Sequence, residues 1–171
     1  MVLSADAIAR IETSANVVER IVENDEVAYG VTTGFGSLAD TVIPTLRATE
    51  LPTALIRSHA AGMGDPVEPE VVRAMMALRA RSLAMGFSGV RPVVVERIIE
   101  LLAHGLIPAV PEFGSLGASG DISPLAHVAL SILGEGTFLT DDGVAPAGEA
   151  RARAGLEPSA LRAKEGLALI N

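Results

Sequence analysis

The stretch Gly114-Ser115-Leu116-Gly117-Ala118-Ser119-Gly120-Asp121-Ile122-Ser123-Pro124-Leu125-Ala126-His127 concentrates small residues immediately before an apolar helical pattern. Ser123-Pro124 reads as an N-cap followed by the first helical residue, leading into a helix over Leu125–Leu133 that Gly134 and Gly136 close. Residues 106–120 are expected to be loop. Three physical readings of the small-residue run compete. The glycines can simply permit positive φ in a tight turn. They can form an anion cradle ahead of a helix N-terminus, although no Lys-Ser/Thr follows them and no strand pattern precedes them. A serine-hydrolase elbow needs glycine two residues to either side of the serine; Gly117 satisfies one side of Ser119, but Asp121 occupies the other.

Working outward, the chain is punctuated by helix brackets. Ser4 can cap a helix to about Val22, with Ile8, Ile11, Val18 and Val22 at helical spacing. Tyr29-Gly30-Val31-Thr32-Thr33-Gly34-Phe35-Gly36 is too rich in glycine and threonine for a helix and reads as a loop. A helix is expected over Leu51–Ala61, ended by Gly62 and Gly64. Pro69 opens the next helix, with Val72, Met75, Leu78 and Leu83 in its apolar stripe, and Gly86-Phe87-Ser88-Gly89 breaks it. Pro92 opens another through Val95, Ile98, Ile99 and Leu102, stopped at His104-Gly105. Phe138–Ala145 flanks Asp142-Gly143, a hairpin signal, and two short helices complete the chain. The fold class is mainly α, with glycine-rich loops and one small β-hairpin, in a single domain over residues 1–171.

Composition narrows the function. The formal charge is −8, from 13 basic and 21 acidic residues. The basic residues are scattered along helix faces, whereas a nucleic-acid surface needs them clustered. With no cysteine, a disulfide framework, a thiolate zinc site and a cysteine nucleophile are all excluded. No secretory pattern opens the chain, and no apolar run is long enough for a membrane span. Cytoplasmic residence is therefore expected, with no membrane or nucleic-acid partner.

The run Gly117-Ala118-Ser119-Gly120-Asp121-Ile122-Ser123-Pro124-Leu125-Ala126-His127 closely resembles the signature of the histidine and aromatic amino acid ammonia-lyases. The resemblance extends in order through Tyr29–Gly36, Leu55-Ile56-Arg57-Ser58-His59-Ala60-Ala61-Gly62, Gly86-Phe87-Ser88-Gly89-Val90-Arg91 and Lys164-Glu165-Gly166-Leu167-Ala168-Leu169-Ile170-Asn171. It implies the N-terminal, cofactor-forming domain of an ammonia-lyase-like helical fold. In that family the Ala-Ser-Gly triplet, here Ala118-Ser119-Gly120, cyclises autocatalytically and loses water to give a methylidene-imidazolone (MIO). The residue types suit the reaction. The Gly120 nitrogen attacks the Ala118 carbonyl, larger side chains would crowd the closing ring, and Ser119 supplies a β-hydroxyl that leaves as water. Neither metal nor nucleotide is implied.

Roles follow from the same resemblance. Tyr29 would be the base that removes a proton from the substrate β-carbon. Asn171 would hydrogen-bond the MIO carbonyl region, and His59 and Gly36 would line the substrate pocket. Asp121 reads as a helix cap or an aid to cyclisation, His127 as a packed, hydrogen-bonded histidine, and His104 as a helix C-terminal residue. The Ser58-His59 pair implies histidine as substrate, because an imidazole in the pocket can exchange hydrogen bonds with a substrate imidazole. Thr32 points instead toward phenylalanine- or tyrosine-specific lyases and aminomutases, which often carry Thr there. Ile122 replaces the more usual Leu conservatively.

The match ends at Asn171, where family chains continue with Gly-Thr and a long helical domain that supplies further substrate-binding groups and a homotetramer interface. The expectation is an N-terminal part that is inactive alone and belongs to a homotetrameric enzyme taking a small amino acid. A non-enzymatic helical module, with apolar faces that bind a partner, is the competing reading.

Overall fold

The computed structural model describes residues 1–44, 50–117 and 122–171. Ala118, Ser119, Gly120 and Asp121 therefore lie outside the described residues. Helices dominate the rest. They are α1 (Ala5–Glu23), α2 (Leu51–His59), α3 (Pro69–Ala84), α4 (Pro92–Ala103), α5 (Ile122–Leu133), α6 (Ala147–Arg153) and α7 (Glu165–Ile170). Two small antiparallel pairs accompany them: β1 (Met63–Pro66) with β2 (Pro111–Phe113), and β3 (Thr137–Thr140) with β4 (Gly143–Pro146).

Ser4 caps α1 as expected, its Oγ accepting from the Ala7 N–H at 3.2 Å. The helix buries Ala7, Ile11, Ala15 and Val18, with Ile8 and Val22 half-buried at the edges of that face. On α3 the buried stripe is Val72, Met76, Ala80 and Leu83. The expected Met75 is only half-buried and Leu78 is 65% exposed. Apolar residues surround this helix, so its sequence supports two registers, and packing against α1 and α4 selects one. On α4, Val94, Val95, Ile98 and Leu101 are buried, and His104 is its C-cap as expected.

Two further expectations are corrected. Residues 106–120 are not wholly loop, because β2 pairs with β1 in the register Met63↔Phe113 and Pro66↔Pro111, interrupted by an irregularity. No alternation announced this pair. It carries prolines, which cannot donate to a ladder, and Gly64 approaches so closely that a Cβ there would stand 2.8 Å from Phe113. Ser123 lies within α5, described over Ile122–Leu133, rather than before it as a cap. The expected hairpin forms as β3–β4, with Thr140 opposite Gly143 and the turn at Asp141-Asp142, one residue earlier than the Asp-Gly signal suggested. Phe138 anchors it in the core, fully buried. Among the described residues, no helix is long and apolar enough to cross a membrane.

Three helices form the centre: α2, α5 and α7 pack pairwise. Gly166 lets α7 approach α2, since a Cβ there would stand 2.7 Å from the Pro52 Cα and carbonyl oxygen. At six residues, α7 is far too short to persist alone. Glu165 holds it. This residue is 1% exposed, and its carboxylate accepts from Arg91 Nε and Nη2 at 2.8 Å each, the Arg91 N–H at 3.0 Å and the Arg162 N–H at 2.6 Å. The Arg91 guanidinium is in turn held above its ordinary pKa, chiefly by its hydrogen bond to Glu165. Lys164, in the left-handed region at φ 68°, donates to the Ser88 carbonyl at 2.5 Å. The breaker Gly86–Gly89 and the entry to α7 are thus joined into one unit.

Truncating one partner of this pair strands a buried charge, which costs about 3 kcal/mol or more. Arg91→Met is therefore expected to lower the unfolding free energy by that amount, read in equilibrium unfolding as a lower urea midpoint with an unchanged slope. A midpoint within error of wild type would show that the pair does not hold α7.

Candidate active site

The loop after α1 presents the chain's one tyrosine. Thr32 builds it: its buried hydroxyl donates to the Glu26 carbonyl at 2.6 Å and accepts from the Ala28 N–H at 2.9 Å. The chain returns alongside, with Gly34 N–H donating to Thr41 and Ile43 N–H donating to Thr32. Tyr29 is left 60% exposed. Its phenolic oxygen accepts from the Gly36 N–H at 3.4 Å, and its ring meets Phe35 edge-on at 6.3 Å between centroids. A phenol that is anchored at its oxygen yet open to solvent is placed to exchange a proton with a molecule arriving from outside.

Gly30 seats this loop on α7. Its φ is +68°, and a Cβ would stand 2.7 Å from Leu167 Cδ2. Gly36, at φ +55°, has open space where a Cβ would lie. The structure thus puts Tyr29 and Gly36 in direct contact, and the loop that bears them against the helix that ends at Asn171.

His59 is the last residue of α2. Its Nδ1 lies 2.9 Å from the Leu55 carbonyl and 3.0 Å from Ser58 Oγ, while Ser58 Oγ itself donates to the same carbonyl at 2.8 Å. A carbonyl only accepts, so Nδ1 is the donor in this contact, and Nε2 is the ring nitrogen left to meet another group. The chain then turns through Gly62, whose N–H donates to His127 Nε2 at 3.2 Å. His127 is thus the packed, hydrogen-bonded histidine expected, and burial lowers its pKa.

Asn171 follows α7, exposed, its N–H donating to the Leu167 carbonyl at 3.1 Å. Its side chain has no hydrogen-bond partner among the described residues. Ala118, Ser119 and Gly120 lie outside the described residues, whereas Gly114 and Ser123, before and after them in sequence, are described. Gly114 lies so close to α5 that a Cβ would stand 2.9 Å from Ser123 Oγ and 3.2 Å from the Gly62 Cα. Ser123 Oγ is buried and has no hydrogen-bond partner. A buried hydroxyl with no partner among the described residues, three positions after Gly120 in sequence, suits a polar group that the ordinary side chains do not supply.

Direct contact therefore joins Tyr29 to Gly36, whereas His59 and Asn171 are related through their helices, α2 packing on α7 and both on α5. Among the described residues, no three His, Asp or Glu side chains form a group that could hold a metal ion. Sequence reasoning passed over Glu165, buried against the Arg91 guanidinium, and Arg79, half-buried against the carbonyls of α7. Its only available signal was a charge inside an otherwise apolar helix face.

Two outcomes follow. His127 has a lowered pKa in the folded state, so its contribution is fully present above the ordinary histidine value of about 6.5 and is lost as pH falls through it toward the folded value. His127→Gln can still accept from Gly62 without titrating. Its stability, from urea unfolding between neutral and mildly acid pH, should decline less than wild type. Parallel declines would remove the histidine from the argument. Gly30→Ala and Gly36→Ala share a left-handed backbone penalty of about 1 kcal/mol, but only the first drives a methyl into Leu167. Gly30→Ala should therefore be the less stable, and equal stabilities would show that the loop does not bear on α7.

A family model for the aromatic amino acid lyases matches residues 1–171. The chain is 48% identical over its whole length to a histidine ammonia-lyase of Geobacillus sp. (strain WCH70), covering 34% of that protein. It is 50% identical over 99% of its length to the histidine ammonia-lyase of Idiomarina loihiensis, covering 33% of it. The chain thus spans about a third of the length of these curated relatives. Among solved structures, a tyrosine aminomutase from Streptomyces globisporus superposes with a TM-score of 0.91 at 41% identity, over 98% of this chain and 31% of that one. Histidine ammonia-lyase from Trypanosoma cruzi superposes at 0.87 and 41% identity, over 98% of this chain and 32% of that one. With its mainly helical architecture, its two small strand pairs and a family match from end to end, the chain belongs to the aromatic amino acid lyase family.

Proposed function

We propose that the protein, at the length of its relatives, eliminates ammonia from L-histidine to give urocanate, using an MIO formed from Ala118-Ser119-Gly120. The observation that carries this reading is the gathering of the tyrosine loop, α2, α5 and α7 into one packed unit, with Gly30 against Leu167 and Gly166 against Pro52. Three blocks that bear chemically suited residues are thereby joined to the helix that follows the triplet, α2 and α7 directly and the tyrosine loop through α7. When present, the MIO supplies an electrophilic alkene carbon for the substrate amine, a function ordinary side chains lack.

This chain's residues do the remainder. Tyr29 takes the proton from the substrate β-carbon, ammonia departs from the α-carbon, and the carbon–carbon double bond forms between them. Asn171 would hold the prosthetic group by donating its side-chain amide toward the ring carbonyl region, where negative charge accumulates. Gly36, with no side chain, leaves room beside the phenol for substrate. His59 offers Nε2 as an acceptor, which complements the N–H of a substrate imidazole and leaves an unpaired polar atom against a phenyl ring.

Thr32 does not oppose histidine. Its hydroxyl is already engaged with Glu26 and Ala28, so it acts as a staple of the loop rather than a reader of substrate. The alternative is an aromatic amino acid lyase or aminomutase, favoured by the 0.91 superposition on tyrosine aminomutase. Elimination is common to both readings, and the product separates them. The same reading takes the enzyme to be a cytoplasmic homotetramer.

The test uses protein of the relatives' length with histidine, phenylalanine and tyrosine. Ammonia and an α,β-unsaturated acid should appear from histidine in preference, and the intact mass should be lower than the encoded one by two water molecules. Tyr29→Phe should lower kcat by about 10²-fold or more while the fold persists. Turnover with an undiminished mass would overturn the MIO, and a β-amino acid product would favour the aminomutase.

A further inference from the structure

One side chain reaches from α3 into the end of α7. Arg79 Nε donates to the Leu169 carbonyl at 3.0 Å, and its Nη2 donates to the carbonyls of Ala168 and Asn171. The last carbonyls of a helix have no partners within it, and a cation there is also favoured by the helix dipole. Burial pushes the Arg79 pKa below its ordinary value, so the site spends desolvation on keeping a cation in this place.

The other face of α3 is buried. Val72, Met76, Ala80 and Leu83 are essentially inaccessible to solvent and pack toward α1 and α4. A planar guanidinium on that support can engage adjacent carbonyls in fixed directions, which the single ammonium of lysine cannot. At its N-terminal end α7 is held by Glu165; at its C-terminal end the contact from α3 is Arg79.

We infer that Arg79 is a positioning residue, whose three bonds to the last turn of α7 fix the direction in which Asn171 presents its side-chain amide. Arg79 bonds the backbone of Asn171 and leaves the amide free, as a support for that side chain should. The inference rests on the role proposed above for Asn171, because only then does the orientation of the amide affect turnover. It assigns to α3, which carries none of the residues expected to meet substrate, a part in the chemistry.

A double-mutant cycle tests this in protein of the relatives' length. Arg79→Met should lower kcat by about 10- to 100-fold with KM changed less than about threefold, the pattern of a lost transition-state interaction. In an Asn171→Ala background the same change should have little further effect, because both act through one group. Arg79→Lys should recover part of the loss. Independently of activity, amide hydrogen exchange at residues 168–171 should accelerate in Arg79→Met while α2 and α5 remain protected. Losses that multiply in the double variant, or exchange unchanged at 168–171, would overturn the inference. If Asn171→Ala turns over like wild type, the role given to Asn171 fails, and the exchange measurement alone still decides whether Arg79 holds the turn. Should Arg79→Met not fold, Arg79→Lys carries the same cycle, with a smaller loss that Asn171→Ala must again abolish.

Discussion

The structure depends on one buried carboxylate. Glu165 is enclosed, yet both of its oxygens are occupied by donors from Arg91 and Arg162. A buried carboxylate without such partners would be strongly unfavourable; with them it becomes a fixed point from which a six-residue helix can grow. Everything near the presumed chemistry refers back to that helix. The tyrosine loop rests on Leu167, α2 rests on Gly166, and α5 packs alongside. The clamp also explains a backbone oddity, because Lys164 holds a left-handed conformation while its ammonium is bound to Ser88.

Helix positions were legible because their boundaries are written in local chemistry: Ser4 caps α1, Pro69 and Pro92 open α3 and α4, and His104-Gly105 ends α4. What could not be read was which face would be buried when apolar residues occupy several. Met75 and Leu78 on α3 match a helical stripe as well as Met76 and Ala80 do, and only the neighbours decide. The β1–β2 pair was illegible for a different reason. Its partners are separated by two helices and carry glycine and proline in place of alternating side chains.

The site divides in the same way. The identities of Tyr29, Gly36, His59 and Asn171 could be proposed from the order of sequence blocks, and their elements do pack together. Hydrogen-bond assignments could not be foreseen. Thr32 is the clearest case: as a residue type it suggested a different substrate, but its hydroxyl turns inward to the loop backbone. Long-range charges such as Arg79 and Glu165 were equally silent: the partners of Arg79 are backbone carbonyls, which carry no identity in a sequence, and Glu165 meets an arginine 74 residues away together with two backbone N–H groups.

The unused register of α3 has a colloidal consequence. Leu78 and Val71 are 65% and 55% exposed, and with Met75 and Leu125 they line a strip of apolar surface. A net charge of −8 keeps molecules apart at long range, but ordinary salt shrinks that repulsion to about 10 Å at 0.1 M. Salting-out anions strengthen apolar attraction further. Self-association in solution should therefore be governed by a short strip along α3 and the edge of α5, set against a charge spread over the whole chain.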